Sequence, residues 1–310
     1  MFAKLHRSAP LLLVALLAAA TVWAVDSKPS APSPDDYRKE IEAWRKERAD
    51  SLKEEDGWLT LVGLYWLKPG ENRFGSDPAS PVILPQGKAP AMAGVLVQEG
   101  NAVTIRVEPG VAITADGKEV KPGMTLKTDA EGEPTVLELG SLKFYLIRRG
   151  DRLGVRIKDR QSPTLASFKG LDNYPIQPAW RVVARFEPYK DKKIPIANIV
   201  GQVQEIPSPG AVIFDWHGKT YRLDALQGSP EGGLFVLFGD KTNGKETYGA
   251  GRFLDTDPPK DGKVVVDFNT AYNPPCAFTA FATCPLPPPQ NKLSIAVEAG
   301  EKKFAGGPHS

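Results

Sequence analysis

Hydrophobic positions recur with one period early in this chain and with another for the remainder. From residue 34, Tyr37, Ile41, Trp44 and Leu52 fall on one stripe at helical spacing among Arg, Lys and Glu. That predicts an amphipathic helix with one packed face. Ser33 is placed to cap its start, with Asp36 three residues on. Pro34 suits the first turn, and Asp35 and Asp36 sit at the positive end of the dipole. Gly57 is the expected stop. From 58 to about 159 the pattern becomes β. The run 58–67 is apolar on both faces, as in a buried strand. Shorter runs follow at 81–84, 94–98, 103–107, 136–139, 143–148 and 153–157, with turn signals at Glu99-Gly100-Asn101, Asp116-Gly117 and Gly150-Asp151. Residues 160–180 read as a connection, because Pro163, Pro175 and Pro178 interrupt each candidate strand. A second series predicts strands at 181–186, 197–203, 211–216, 220–223, 234–238 and 263–268, with His217-Gly218 as a hairpin turn.

The expected fold is therefore all-β with one N-terminal helix: a sandwich-like first half, then a second β half that is barrel-like or a sandwich. The 29 glycines and 29 prolines support short strands and turns over further helices. Expected divisions are 1–24 for a signal peptide, 25–56 for a flexible leader and the helix, 57–160 for the first β domain, and 175–304 for the second. The run from Gly70 to Leu84, with Asp116-Gly117 and Val120, is faintly similar to a forkhead-associated β-sandwich. That family reads phosphothreonine with an arginine and a Ser-x-x-His element. Arg73 matches the arginine, but 57–160 contains no histidine, so the likeness extends to the scaffold and not to phosphopeptide binding.

The first apolar block changes where the protein is expected to work. Lys4 and Arg7 precede an apolar stretch from Ala9 to Val25, and Val22-Trp23-Ala24 fits signal-peptidase cleavage after Ala24. The expected location is periplasmic or secreted, with no stable membrane insertion after cleavage. No cysteine adjoins the cleavage point, which argues against a lipoprotein. The chain has 39 basic and 37 acidic residues. Lys4 and Arg7 leave with the signal and no acid does, so the mature protein would be neutral, with no electrostatic case for nucleic acid.

The most distinctive stretch runs from Asp267 through Asn269, Tyr272 and Asn273 to Pro274-Pro-Cys276, Cys284-Pro-Leu-Pro-Pro-Pro-Gln-Asn291 and Glu298-Ala-Gly-Glu301. With Gly57-Trp58-Leu59 and Tyr248-Gly-Ala-Gly-Arg252-Phe-Leu, it resembles a large bacterial family known only as domain of unknown function 1684. The resemblance implies no catalytic residue, substrate or cofactor. Prolines from Pro274 to Pro289 fix backbone angles and remove donors, so the stretch is expected to be a held loop. It is either a site or a cover for an exposed sheet edge.

Cys276 and Cys284 are the only cysteines, and in an oxidising compartment they read as a disulfide. A cysteine nucleophile would need a base, and the mature chain has only His217 and His309. Neither zinc spacing nor a calcium loop is present, although Asp255 and Asp257, and Asp267 and Asn269, lie close together, so no metal and no cofactor are expected. Gly249-Ala-Gly251-Arg252 is too short for a nucleotide motif, but it sets a planar cation beside glycines that expose backbone donors. The expected function is binding of a small polar molecule by the second β domain through Arg252, Asp267, Asn269, Tyr272 and Asn273. A cofactor-independent acid-base hydrolase and a structural envelope protein are the alternatives.

Overall fold

The computed structural model describes residues 33–308; the predicted signal peptide and most of the leader lie outside them. Helix α1, Pro34–Lys53, starts as expected. The Ser33 hydroxyl donates to Asp36 and accepts from the Asp36 backbone N–H at 3.2 Å. It stops earlier than expected, three residues short of Gly57. That glycine turns out to serve close approach instead: its φ is an ordinary −67°, but a Cβ there would stand 2.3 Å from the Leu52 carbonyl oxygen. Tyr37, Ile41 and Leu52 are buried along the predicted face.

The first half holds two sheets. One has six strands in the spatial order Leu61–Trp66, Arg152–Asp159, Leu142–Arg149, Leu137–Leu139, Thr114–Ala115 and Lys118–Glu119. The other has five: Val82–Ile83, Gly70–Gly75, Gly94–Glu99, Ala102–Val107 and Met124–Thr125. Their inner faces share one core that includes Phe74, Leu96, Ile105, Phe144, Val155 and Ile157, the expected sandwich-like packing. The apolar run 58–67 is not strand throughout. Trp58–Thr60 forms a single tight turn, held by the Thr60 hydroxyl on the Gly57 carbonyl at 2.7 Å, before the strand begins at Leu61.

After a five-residue helix α2, Pro163–Ser167, the second half is a six-stranded antiparallel sheet curled into a half-barrel. Its order is Arg252–Thr256, Leu234–Phe238, Lys219–Gln227, Gly210–Trp216, Arg181–Pro188 and Lys263–Asp267. His217 and Gly218 both have positive φ, 47° and 75°, and turn the hairpin as predicted. The run 197–203, expected as a strand, is instead the turn of a separate hairpin between Lys193–Ala197 and Val203–Pro207. Local polar chemistry overrode its apolar residues. The Asn198 side chain accepts from the backbone N–H groups of Val200 and Gln202, and Gly201 sits at φ 84°.

Apart from three short helical turns, the stretch after Asp267 is the irregular held segment its prolines predict. It covers one edge of the half-barrel: Phe253 and Tyr272 exchange backbone hydrogen bonds at 2.9 Å in both directions. Its Cys276, Phe278 and Cys284 pack with Leu52 of α1, Leu59 and Leu61 of the first half, and Leu237, Tyr248 and Phe253 of the half-barrel. This third core places the helix, the sandwich and the C-terminal segment around one seam.

Candidate functional site

Arg252 begins the edge strand of the half-barrel and is fully buried. A guanidinium is costly to bury unless it is paired and hydrogen-bonded; both Nη groups of Arg252 find partners, while its buried Nε makes no hydrogen bond among the described residues. Nη2 donates to Asp240 Oδ2 at 2.9 Å and to the Val297 carbonyl at 2.8 Å, and Nη1 donates to the carbonyls of Ala299 and Glu301. Burial pushes its pKa down and Asp240 opposes that. Asp240 has no exposed side-chain surface. Its other oxygen accepts from the Thr242 backbone N–H, the Thr242 hydroxyl and the Val297 N–H. The pair therefore fastens the C-terminal segment onto the barrel, and Arg252 presents no free fork to a ligand.

The other predicted residues divide between two networks. Glu301, also fully buried, accepts from the Asn273 backbone N–H at 2.8 Å and pairs with Arg48 of α1 at 3.2 Å. Burial raises its carboxyl above the ordinary 4.5. The Asn273 amide donates to the Lys302 carbonyl, so Asn273 and Arg252 share one buried neighbourhood around Glu301. Asp267 and Asn269 lie elsewhere. Tyr37 of α1 donates to Asp267 at 2.7 Å, and the buried Asn269 amide donates to the Tyr37 hydroxyl and the Gln177 carbonyl, both at 2.9 Å. Burial, and then Asp267, push the Tyr37 hydroxyl far above its usual range. Of the five, Tyr272 lines a cavity, and it does so facing α1.

A different cavity, of about 450 Å³, lies beside the Arg252–Asp240 pair. Three segments wall it: 239–243 after a barrel strand, the turn Gly249-Ala250-Gly251, and Leu286, Pro287, Lys292 and Leu293 of the proline-held segment. Gly251 is required by this geometry. It has φ 96°, and a Cβ would stand 2.6 Å from both the Phe238 carbonyl oxygen and the Pro287 ring. Asp240 is at the cavity, but its carboxylate is consumed by Arg252 and Thr242. Lys241 and Lys292 are exposed at the cavity, and among the described residues neither has an acidic partner within 4.0 Å. The backbone N–H groups of Gly249 and Ala250 likewise make no hydrogen bond among the described residues. Charge and unspent donors thus gather on one concave surface. A second cavity, of about 290 Å³, shares Gly249 and Ala250 and is bordered by Lys303.

Sequence reasoning had picked the glycine turn but missed both lysines. Lys241 and Lys292 are 51 positions apart in ordinary surroundings. The bridge between Gly239 and Lys292 and the hydrogen bond from the Lys241 backbone N–H to the Ile295 carbonyl bring their segments together. No signal in the chain would have paired them.

Cys276 and Cys284 are free in the structure, so the expected bridge is not formed there. Both are buried, and the Cys276 backbone N–H donates to the Cys284 sulfur at 3.1 Å. Thiol contact with Cys276, then burial, hold Cys284 protonated, whereas the same contact lowers Cys276. His217 packs edge-on against Trp216 on the hairpin turn, so it supplies no base to them. No group of three or more His, Cys, Asp or Glu that could hold a metal occurs among the described residues.

Residues 166–302 match the family described as a protein of unknown function, DUF1684. The chain belongs to that family. The matched span holds the half-barrel and every wall of the 450 Å³ cavity, whereas α1 and the sandwich fall outside it. An uncharacterized protein of Haloarcula marismortui, solved by solution NMR, is 32% identical over 46% of this chain and 83% of its own, with a TM-score of 0.38. No curated protein matches the chain. The two DUF1684-like stretches, 248–254 and 267–291, meet at the 450 Å³ cavity through Gly249–Gly251 and Leu286-Pro287.

Proposed function

We propose that this DUF1684 protein is an exported binding protein for a small anionic ligand, a carboxylate or phosphate held in the cavity beside the Arg252–Asp240 pair. The observation that carries this reading is the imbalance of charge there. Lys241 and Lys292 are unpaired among the described residues, while the one carboxylate at the cavity is already neutralised by Arg252. An anion would gain charge-assisted hydrogen bonds from the lysines and neutral ones from the Gly249 and Ala250 N–H groups. Leu286, Pro287 and Leu293 would cover an apolar part of the ligand.

At this cavity the acid-base alternative asks for a carboxylate free to exchange a proton, and Asp240 is not free. A purely structural role accounts for the edge cover at Phe253–Tyr272 but leaves the two lysines unexplained. Export to an oxidising compartment would also supply the conditions for joining Cys276 to Cys284.

Calorimetric titration of the purified protein with inorganic phosphate, a sugar phosphate and a dicarboxylate tests the reading. At least one should bind saturably. Lys241→Ala and Lys292→Ala should each weaken it by about tenfold, roughly 1.4 kcal/mol, without lowering the unfolding temperature. Absence of saturable binding across that panel, or binding indifferent to both substitutions, would overturn it.

A further inference from the structure

Helix α1 does more than cover the half-barrel. Where it crosses the edge strand, Trp44, Glu47, Arg48 and Ser51 of the helix face Asp255 and Tyr272 across a cleft of about 320 Å³. The cleft shares no lining residue with the cavity between the glycine turn and the proline segment.

Its charges do not cancel. The Arg48 guanidinium donates through Nε to the buried Glu301 and through Nη2 to the Asn273 carbonyl, and Glu301 neutralises it. That leaves two carboxylates. Asp255 accepts from the Tyr272 hydroxyl at 2.7 Å and has no cation within 4.0 Å among the described residues. The Glu47 carboxylate has neither ion pair nor hydrogen bond among them. Around these acids stand two aromatic rings, Trp44 and Tyr272, with centroids 6.3 Å apart and planes at 50°. Arg48 covers one face of Tyr272, with its guanidinium carbon 4.8 Å from the ring centroid, and Phe253 meets the same ring edge-on with centroids 5.9 Å apart, so the Trp44 ring is the aromatic surface left for a ligand. Asp255 keeps contact with solvent, so the site stays open to entry.

We propose that this cleft binds an organic ammonium ion. Carboxylates and an aromatic face together match a cation with an apolar skin: the charge meets Asp255 and Glu47, and the carbon-bound hydrogens meet Trp44. A bare metal ion fits the cleft less well. It asks for several oxygen ligands in a compact shell, whereas the described residues hold no cluster of three or more metal-binding side chains. Trp44, Glu47, Arg48 and Ser51 lie outside the span 166–302 matched to the family. The site is therefore assembled from the matched span and a helix that precedes it in the chain.

The full chain titrated with choline, with Trp fluorescence and calorimetry as readouts, tests this. Saturable binding is expected, and the neutral isostere with carbon in place of nitrogen should bind at least about tenfold more weakly. Asp255→Asn should weaken choline binding by about tenfold, and Trp44→Ala should do so too, with Trp44→Phe restoring most of it. Unfolding temperature serves as the folding control for each. The Lys241→Ala, Lys292→Ala double variant should bind choline normally, which separates this site from the anion cavity. Equal binding of the isostere, equal displacement of choline by sodium and by other ammonium ions, or full binding by both Asp255→Asn and Trp44→Ala would overturn the proposal.

Discussion

Arg252 stands out in the sequence as a planar cation beside glycines, and burial gives it a different task. Its guanidinium joins Asp240 to the carbonyls of Val297, Ala299 and Glu301, so its loss leaves a buried carboxylate without a counter-charge. Arg252→Ala should cost about 3–5 kcal/mol of folding stability in urea denaturation. Arg252→Lys should recover only part of that, because a point charge cannot reach an acid and three carbonyls together. A cost under about 1 kcal/mol would show that the pair is not the fastening of the C-terminal segment. Asn269, Asn273 and Asp267 are comparable. Their polar character was legible, but whether they meet solvent, a ligand or α1 depends on which distant backbone groups reach them. Tyr37, which donates to Asp267, lies 230 positions away.

At the scale of elements, local chemistry was readable where it stood alone. The Ser33 cap, the His217-Gly218 turn and the proline-held character of the final segment all follow from nearest neighbours. The failures came where side chains competed with an apolar pattern, at the Asn198 turn and at the Thr60 turn. The cysteine pair belongs to this scale as well. Cys276 and Cys284 already lie side by side as free thiols inside the core shared by α1, the sandwich and the barrel. Bridging them would take an oxidant that removes two electrons and two protons. Protein isolated from the exported fraction and unfolded without reductant should show no free thiol; a count of two would rule the bridge out.

For the whole molecule, the basic start, the apolar stretch and Val22-Trp23-Ala24 predict a mature chain beginning at Val25, which intact-mass measurement of the exported protein checks. A mass that includes Met1 would refute cleavage. No helix among the described residues is long and apolar enough to cross a membrane. By itself the sequence determined the β-rich class, the single N-terminal helix and its buried face, and the family, because period, capping and turn chemistry act over a few residues. Tertiary structure alone decided which polar groups are spent. It buried Arg252 against Asp240, paired Arg48 with Glu301, left Lys241 and Lys292 without an acidic partner among the described residues at one cavity, and set Asp255 and Trp44 around another. A charge becomes a site only when its neighbours fail to neutralise it, and those neighbours are tens to hundreds of positions away along the chain.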